Sequence, residues 1–368
     1  MKKVLFVATV VQKHINVFHL PFLKLFQEEG YKTYVAAAND TDSEYVNIPY
    51  CDEYIEMGFK RNPLHPKNLL AYIRLRNLIN SQKFDIVHCH TPVGGLLGRL
   101  AARQARKKGT RVFYTAHGFH FYKGAPLKNW LFYYPVEKFC SYFTDILITI
   151  NYEDYALAQK KMKAKQIEYV PGVGVDLSRF ESIQVDRNAK RRELEIPNDV
   201  TLFTSVGELI ARKNHKLMLQ ALAKTDNERI HYAVVGDGGL LSELKDFACE
   251  YNISSRVHFL GYRKDVAEIY RASDICCLPS IHEGLPVALM EAMACGLPVI
   301  CSKIRGCTDL IGVSGGILFE SNNVDECCQA IAKILNGDQK QMGKANKEFV
   351  KSFSIEEVIK RMRNLYEI

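Results

Sequence analysis

Short apolar segments alternate with amphipathic helical ones along nearly the whole chain, and this alternation limits its possible folds more than any other feature. The predicted strands are Val4–Val11, Thr33–Ala38, Ile86–Cys89, Arg111–Ala116, Ile146–Ile150, Thr201–Val206, His231–Val235, Val257–Leu260, Ile275–Leu278 and Val299–Cys301. The predicted helices are Leu20–Glu29, Asn68–Ser81, Leu96–Lys108, Asn214–Lys224, Leu240–Glu250, Val266–Arg271 and the segment after Pro286. Strands separated by helices pair in parallel and are covered on both faces, so we predict an α/β protein.

The strands and helices fall into two series. A chain of 368 residues is longer than one hydrophobic core usually organises, and the charged segment Ser178–Asn198 separates the two series. We therefore predict a first domain over residues 1–175 and a second over 176–354, with ligands bound in a cleft between the carboxyl ends of their sheets. The remaining segment, 355–368, reads as one amphipathic helix, and its sequence does not say which domain it packs on.

Composition excludes several classes of protein. Eleven cysteines in a chain of this length, mostly within apolar runs, indicate reduced and buried thiols. No uncharged apolar run is long enough for a membrane span, and we expect a cytoplasmic protein. The net charge of +8 is concentrated in residues 1–175, which hold 24 Lys and Arg against 14 Asp and Glu. No nucleic-acid recognition module accompanies this positive charge, and we expect no nucleic-acid partner.

A possible membrane surface lies in the first half. The segment from Phe119 to Phe143 is rich in aromatic residues and carries Lys123 and Lys128, a composition that suits a lipid headgroup boundary. The helix predicted over Leu96–Lys108 has basic residues that favour anionic lipid, although a solvated helix face explains them equally well. We expect peripheral contact with the anionic inner face of the plasma membrane as one use of this region.

The segment from Ser280 to Pro298 has the most specific pattern. Pro286 suits the first turn of a helix, and Gly296 with Pro298 suits its end. The N-terminus of such a helix favours a phosphate. Two carboxylates flank it, Glu283 before the helix and Glu291 within an apolar run that requires a partner for a charge.

Three other loops follow predicted strands. Arg212 and Lys213 lie beside a helix N-terminus, where cations are unfavourable unless an anion is bound. The glycines from Gly236 to Gly239 allow close approach of the backbone to a ligand, or simply a tight turn. His117, at a strand's carboxyl end, suits a ligand contact. We interpret the His88-Cys89-His90 tract as core, because adjacent residues on a strand point to opposite faces.

These residues together resemble a known family. The pattern E-G-x-P-x-x-x-x-E-A-M-A-C-G-x-P-V that begins at Glu283 is similar to the signature of family 4 glycosyltransferases. Loops that begin at Gly207, Gly236 and Gly261 precede this pattern and occur in the same order as in the family. The first half matches more loosely, through residues 115–118. The resemblance implies the GT-B fold, in which two Rossmann-like domains face each other across a cleft, with the acceptor on the first domain, the nucleotide sugar on the second, and the last helix packed back on the first.

The resemblance also implies roles for single residues. Glu283 would orient the transferred sugar and stabilise its transition state, and Glu291 would bind the ribose. Lys213 and Arg212 would neutralise the diphosphate. The remaining contacts, with the donor sugar, the phosphates and the base, would come from His117, Gly207, Gly236, Gly284, Leu285, Pro286, Gly261 and Tyr262.

This chain departs from the family pattern at two places. Glu208 stands where the family often has Arg, so we assign the second phosphate cation to Arg212. The family's N-terminal glycine-rich loop is replaced by Thr9–Asn16, in which His14 and Asn16 are candidates for the acceptor site. The family needs no metal, and the absence of a D-x-D motif agrees with that expectation. We expect no cofactor besides the nucleotide-sugar substrate.

The sequence therefore predicts a retaining, metal-independent hexosyltransferase. It would move GlcNAc, GalNAc or another hexose from a UDP-sugar to a lipid-linked acceptor or a growing surface polysaccharide such as capsule or exopolysaccharide. The alternatives are a nucleotide-sugar epimerase of the same fold and a non-catalytic protein that binds nucleotide sugars.

Overall fold

The computed structural model describes residues 1–368 except Asp42, Glu44 and Val313, and for Glu181 it describes only the backbone. The chain divides into two compact units. One contains Met1–Val173 and Val358–Ile368, and the other contains Gly174–Glu357. The chain thus passes from the first unit to the second close to residue 175, and its last residues return to the first unit.

The first unit is built on a parallel sheet of seven strands in the order β3-β2-β1-β4-β5-β6-β7. Its strands are β1 (Lys3–Val10), β2 (Lys32–Ala38), β3 (Glu53–Glu56), β4 (Ile86–His90), β5 (Arg111–Ala116), β6 (Ile146–Thr149) and β7 (Gln166–Tyr169). β4 is buried along its whole length and β1 along all but its two end residues, because helices cover both faces of the sheet. This burial explains their continuous apolar sequences.

The helices of the first unit connect these strands. They are Asn16–Phe18, Leu20–Glu28, Lys67–Gln82, Pro92–Ala101, Arg103–Arg106, Leu127–Ser141 and Tyr152–Lys161, with a π-helical turn at Val11–Ile15. Local sequence fixes several of their ends. The Asn151 side chain, for example, accepts a hydrogen bond from the backbone N–H of Asp154 at 2.8 Å and so caps the helix that follows.

The second unit has a parallel sheet of six strands in the order β10-β9-β8-β11-β12-β13. Its strands are β8 (Thr201–Val206), β9 (Ile230–Val235), β10 (Val257–Gly261), β11 (Ile275–Leu278), β12 (Val299–Ser302) and β13 (Gly316–Phe319). Its helices are Leu177–Glu181, Arg187–Glu193, His215–Ala223, Leu241–Glu250, Val266–Ala272, Val287–Ala294, Cys307–Leu310, Val324–Leu335 and Gln339–Val350, with 3₁₀ turns at Ala211–Lys213, Ser254–Arg256 and Lys351–Phe353. The prediction of an α/β fold with two parallel sheets is confirmed.

The last helix, Ile355–Tyr366, contributes its final residues to the first unit. Val358, Met362 and Tyr366 are buried there, as their helical spacing predicts. The Tyr366 hydroxyl is hydrogen-bonded to His88 Nδ1 at 2.6 Å. Arg111 donates to the backbone carbonyl of Tyr366 at 2.7 Å, which satisfies an acceptor that the helix end would leave unpaired.

Some elements differ from their predictions. Strands β3, β7 and β13 were not expected, because each is four residues long and only partly buried. The segment 178–198, which lacks a clear pattern, contains the helix Arg187–Glu193. Arg191 of this helix is fully buried and donates to Asp274 at 2.7 Å. Because this helix buries an ion pair instead of an apolar face, its sequence lacks the hydrophobic pattern by which a helix is predicted.

The helix predicted over Leu96–Lys108 is two helices, and its basic residues do not form one solvated face. Arg99 is fully buried, pairs with Glu137 at 2.8 Å and lies 3.7 Å from the centre of the Tyr114 ring. Arg106 pairs with Asp145 at 3.0 Å. Buried Arg99 therefore does not contribute to a lipid-binding basic face and Arg106 is held in an ion pair, whereas Arg103, Lys107 and Lys108 are exposed.

Within the described residues, no helix combines the length and apolarity needed to cross a bilayer.

Candidate active site

The sheet of the second unit has a switch point between β8 and β11. From β8 the chain adds β9 and β10 on one side, and it then adds β11, β12 and β13 on the other. The loops that leave neighbouring strands at such a point diverge and open a ligand site at their carboxyl ends. Here the loop after β8 carries Arg212 and Lys213, and the loop after β11 carries Glu283.

Glu283 is the centre of this site. Its side chain is buried, and its carboxylate accepts hydrogen bonds from Lys213 Nζ at 2.8 Å, Arg212 Nη1 at 2.9 Å and Ser280 Oγ at 2.8 Å. The two loops are also joined through their backbones, since the N–H of Ile281 donates to the carbonyl of Arg212 at 2.8 Å. The structure therefore brings together the three residues that the sequence assigns to the sugar and the diphosphate.

The electrostatics of this cluster favour an anion. Burial acts to raise the pKa of Glu283, but Lys213 and Arg212 outweigh burial and leave its pKa below the usual value. Glu283 is thus ionised at neutral pH, and two cations face one carboxylate. The side chain of Arg212 is 42% exposed, so part of this excess positive charge is open to a ligand.

The helix after the Glu283 loop begins slightly later than predicted. Pro286 is its N-cap, and the helix covers Val287–Ala294. In the described part of the chain, the backbone N–H groups of Gly284 and Leu285 donate to no acceptor. The carbonyl of Gly284 packs against Gly306. A Cβ on residue 306 would lie 2.3 Å from the carbonyl oxygen of Gly284, so this close backbone contact requires a glycine at position 306. Two amide donors thus stand beside the Glu283 cluster.

Glu291 lies in the second turn of that helix and has no ion-pair or hydrogen-bond partner among the described residues. Burial raises its pKa to about 7, and the positive charge of Arg179 offsets only part of this effect. The free protein therefore holds a carboxyl group that carries a proton well above its ordinary pKa. A ligand hydroxyl that donates to this group would favour its ionised form.

Glu291→Gln should change how stability depends on pH. Because the folded pKa is raised, the wild-type protein gains stability from protonated Glu291 at low pH and loses it as the pH rises from about 4.5 through about 7. We expect the glutamine variant to gain on the order of 3 kcal/mol on the wild type between pH 4.5 and pH 8. Urea denaturation at both pH values measures this difference, and Glu243→Gln, at an exposed ion pair, is the control. Parallel pH profiles for the variant and the wild type would contradict the raised pKa of this half-buried, unpaired carboxyl group.

The glycine-rich loops after β8, β9 and β10 pack on one another. Gly236 has a φ of +138°, and its N–H donates to the carbonyl of Gly261 at 2.8 Å. The N–H of Tyr262 donates to Asp237 at 3.1 Å, while the Tyr262 side chain is exposed. Gly207 packs against the side chain of Lys213, and a Cβ on residue 207 would lie 3.1 Å from the lysine Cε. These glycines serve close backbone packing around the site.

Gly236→Ala should destabilise the protein by at least about 2 kcal/mol. A Cβ at this position would lie 2.1 Å from the carbonyl oxygen of Gly207, at a φ that side chains rarely adopt. Gly239→Ala is the matched control, because no atom lies within 4 Å of its Cβ position. Urea denaturation of both variants tests the difference, and equal midpoints would show that the Gly236 backbone relaxes freely.

The first unit has its own switch point, between β1 and β4. His14 lies in the turn after β1, and His117 directly follows β5. Their rings are 4.9 Å apart between centroids, so the structure places these two candidates together. Asn16 does not join them, since its side chain donates to Gln12 at 3.0 Å and to the Asn47 carbonyl at 3.3 Å.

Sequence reasoning missed several residues of these sites. Ser280 binds the Glu283 carboxylate, and buried Arg305 contacts His282 in the same loop. In the first unit, His19 and His90 lie beside His14 and His117. The sequence contained one indication of His90. His88 and His90 are two residues apart on a predicted strand, and residues with this spacing lie on the same face of the sheet.

Comparisons with known proteins agree with this geometry. The family model "Glycosyl transferases group 1" matches residues 186–349, and "Glycosyl transferase 4-like" matches residues 3–151. The chain is 36% identical to glycosyltransferase EpsD of Bacillus subtilis (strain 168), over 99% of this chain and 96% of that protein. It is 32% identical to the UDP-Gal:alpha-D-GlcNAc-diphosphoundecaprenol alpha-1,3-galactosyltransferase of Escherichia coli, over 86% of this chain and 85% of that enzyme. Among solved structures, sucrose-phosphate synthase from Thermosynechococcus elongatus superimposes with a TM-score of 0.81 at 21% identity, over 100% of this chain and 98% of that one.

Proposed function

Because this chain belongs to the family 4 glycosyltransferases, which have the GT-B fold, we propose that it transfers a hexose from a UDP-sugar with retention of anomeric configuration. The proposed acceptor is a lipid-linked glycan or a growing surface polysaccharide such as capsule or exopolysaccharide. The name of the Escherichia coli relative, which gives a UDP-sugar donor and a diphosphoundecaprenol-linked acceptor, supports both assignments. GlcNAc, GalNAc and other hexoses are the candidate sugars.

One observation carries this proposal, the ion-pair cluster of Glu283, Lys213 and Arg212 at the switch point of the second unit. The cluster combines an ionised carboxylate with an excess of positive charge and the free amides of Gly284 and Leu285. A diphosphate fits this positive charge, and a sugar hydroxyl fits the carboxylate. In the free protein Glu283 holds both cations in position, so a bound donor finds them oriented.

The transfer proceeds by loss of the diphosphate. The bond between the sugar C1 and the phosphate oxygen breaks, its electron pair passes to the phosphate, and Lys213 and Arg212 stabilise the charge that develops there. These two cations supply the stabilisation that a metal ion gives in other transferases, and we therefore propose metal-independent chemistry. The acceptor hydroxyl oxygen bonds to C1, and its proton passes to the departing phosphate.

Other residues would bind the two ends of the donor. Glu291 is placed on the ribose, whose hydroxyls would supply the hydrogen bonds that its carboxyl group lacks in the free protein. Gly261 and exposed Tyr262 are placed by the base. In the first unit, we assign His117 to the donor sugar and His14 and Asn16 to the acceptor site, and the closeness of the His14 and His117 rings supports a shared site for these two histidines. No cofactor is required besides the UDP-sugar substrate.

We place the protein in the cytoplasm, at the inner face of the plasma membrane. The observation that supports this location is an exposed apolar face on the helix Leu127–Ser141. Its exposed members follow a helical spacing and are Leu127, Leu131, Phe132, Val136 and Phe139, with exposed Lys128 beside them. This face lies within the segment from Phe119 to Phe143, whose composition the sequence analysis assigns to a lipid headgroup boundary, and insertion of its apolar side chains would provide binding energy.

Leu131→Asp together with Phe132→Asp should abolish binding to anionic liposomes. Each substitution puts a charge where an apolar side chain would enter the lipid boundary, and the exposed positions should leave folding intact. Flotation with phosphatidylglycerol vesicles at low and high salt measures the effect. Leu64→Asp, at an even more exposed apolar residue on a loop, is the control. Absence of wild-type binding at both salt concentrations would refute the membrane assignment.

A panel of nucleotide sugars tests the proposed donor. A ligand that binds only the folded state raises its stability by RT ln(1 + [L]/Kd), so UDP and one UDP-sugar should raise the melting temperature more than GDP or ADP counterparts. The same panel, incubated with and without lipid-linked acceptors, separates the alternatives. Epimerised nucleotide sugar released into solution would identify an epimerase, and binding without transfer to any lipid-linked acceptor would identify a non-catalytic binding protein.

A further inference from the structure

Four histidines meet at the switch point of the first unit. His14 follows β1, His19 precedes the helix Leu20–Glu28, His90 ends β4, and His117 follows β5. One ring nitrogen from each lies within 4.8 Å of the corresponding atom of every other, and His90 Nδ1 is 3.4 Å from His117 Nε2. We call these four residues the histidine quartet. The group contains imidazoles alone, without a carboxylate or a thiol.

The quartet contains ring nitrogens that the protein itself does not satisfy. His19 and His90 are each 1% exposed, and His14 is 9% exposed. Both nitrogens of His19, Nε2 of His90 and Nε2 of His14 have no hydrogen-bond partner among the described residues. A buried polar atom without a partner costs about 1–3 kcal/mol. Several such atoms, in a group of rings whose nitrogens lie within 4.8 Å of one another, indicate a ligand that binds imidazole nitrogen.

Charge selects the chemical class of that ligand. The four rings lie close together, and those of His19 and His90 are buried, so a positive charge on each ring would be unfavourable. Neutral imidazole offers a lone pair, which binds a metal ion, whereas an anion would require protonated rings. An all-nitrogen set favours zinc, nickel or copper over magnesium and calcium, which prefer oxygen ligands.

The other buried histidines show a different arrangement. His88 packs against His90 with ring centroids 4.0 Å apart, but both of its nitrogens have partners, Tyr366 at 2.6 Å and Thr115 at 2.8 Å. In the second unit, His231 Nδ1 and His258 Nε2 are hydrogen-bonded to each other at 2.9 Å. Buried His215 is hydrogen-bonded to Tyr232 through Nδ1 at 3.0 Å, and its Nε2 has no hydrogen-bond partner among the described residues. A single unpartnered nitrogen therefore also occurs elsewhere, and the quartet differs in bringing four such nitrogens, on three rings, into one group.

We propose that the histidine quartet binds one divalent transition-metal ion of the zinc class. Tetrahedral coordination at a metal–nitrogen distance of about 2.0–2.1 Å requires the four nitrogens to approach one another to about 3.3 Å, from separations of up to 4.8 Å in this structure. The ion would join the ends of β1, β4 and β5 and would take no part in the departure of the diphosphate. His117 would use Nε2 for the metal, which leaves Nδ1 for a substrate.

Titration with Co²⁺ tests this proposal on the full chain after treatment with a chelator. We expect one equivalent of Co²⁺, the intense visible absorption of a tetrahedral nitrogen site, and displacement by Zn²⁺. His14→Gln and His117→Gln, at the two most exposed positions of the quartet, should each weaken binding at least about 100-fold, while His65→Gln should not. Equal losses in His65→Gln and the quartet variants, or no binding to the wild type, would overturn the proposal.

A second measurement avoids dependence on variants that fail to fold. X-ray absorption by the Zn²⁺-loaded wild-type protein should show three or four imidazole nitrogens and no sulfur at about 2.0–2.1 Å. This distinction matters because the chain has eleven free cysteines, of which Cys249 is exposed. A sulfur ligand at about 2.3 Å would assign the metal to cysteine and contradict the quartet.

Discussion

Glu283→Gln is expected to lower kcat by about 100- to 1,000-fold, the loss typical of removing one group that stabilises charge in a transition state. Glutamine keeps the shape of the side chain but removes the negative charge that faces the reacting sugar. The same change leaves Lys213 and Arg212 without their counterion. We therefore expect UDP to bind at least as tightly as it does to the wild type, because the cations no longer share a carboxylate.

This pattern separates a catalytic role from a structural one. Loss of the ion pairs should lower the free energy of unfolding by about 2 kcal/mol, less than for a fully buried pair because Arg212 is exposed to solvent. Glu243→Gln, which breaks the exposed pair with Lys216, is the matched control and should change neither kcat nor UDP affinity. Weaker UDP binding together with unchanged kcat in Glu283→Gln would place this carboxylate outside the chemistry.

Lys213→Met should lower kcat/KM by about 100- to 1,000-fold and should also weaken the binding of UDP. Methionine keeps an aliphatic stem, so the packing of residue 213 over Gly207 is retained while the charge is lost. The lysine is expected to bind the diphosphate both before and during its departure. Its loss should therefore affect ground-state affinity and rate together, in contrast to the change at Glu283.

The control for this variant lies one turn away. Lys216→Met removes an exposed lysine that pairs with Glu243 at 3.0 Å, and it should leave transfer unchanged. Steady-state kinetics with varied UDP-sugar, together with calorimetric titration of UDP, gives both quantities. Unchanged UDP affinity in Lys213→Met would refute the assignment of this lysine to the diphosphate.

The second unit was the more predictable part of the fold and the site. Its loop residues form a pattern in the sequence, from Gly207 through Lys213 and Gly236 to the segment after Glu283, and the structure brings Glu283, Lys213 and Arg212 into contact. Strands β5, β8 and β11 have the bounds that their apolar runs predict. These features could be predicted because they depend on local periodicity and on the rule that parallel strands end at one edge.

Features that depend on long-range contacts could not be predicted. Arg99 looks like a surface residue in the sequence, but Glu137 and Tyr114, far away in the chain, compensate its buried charge. The histidine quartet is similar, since its members come from positions 14 to 117 and meet only when β1, β4 and β5 are adjacent. Periodicity identifies the face on which a residue lies, but it does not identify the partners on that face.

The short edge strands have a related physical cause. Strands β3 and β7 lie at the two edges of the first sheet and are half-buried, so their sequences lack a continuous apolar run. Helix Leu127–Ser141 has an exposed apolar face, and its sequence therefore resembles a mixture of core and surface. In both cases the environment that determines burial is not encoded in the segment itself.

The most direct test of the central claim is transfer of a radiolabelled sugar by the purified protein. The assay supplies a labelled UDP-sugar and a polyprenyl-diphosphate-linked acceptor and compares the wild type with Glu283→Gln. We predict that the wild type moves the label to the lipid fraction with release of one UDP per sugar and that the variant does so about 100- to 1,000-fold more slowly. Equal rates for the two proteins, or label that stays in soluble nucleotide sugar whatever acceptor is supplied, would contradict the assignment of the Glu283 cluster to glycosyl transfer.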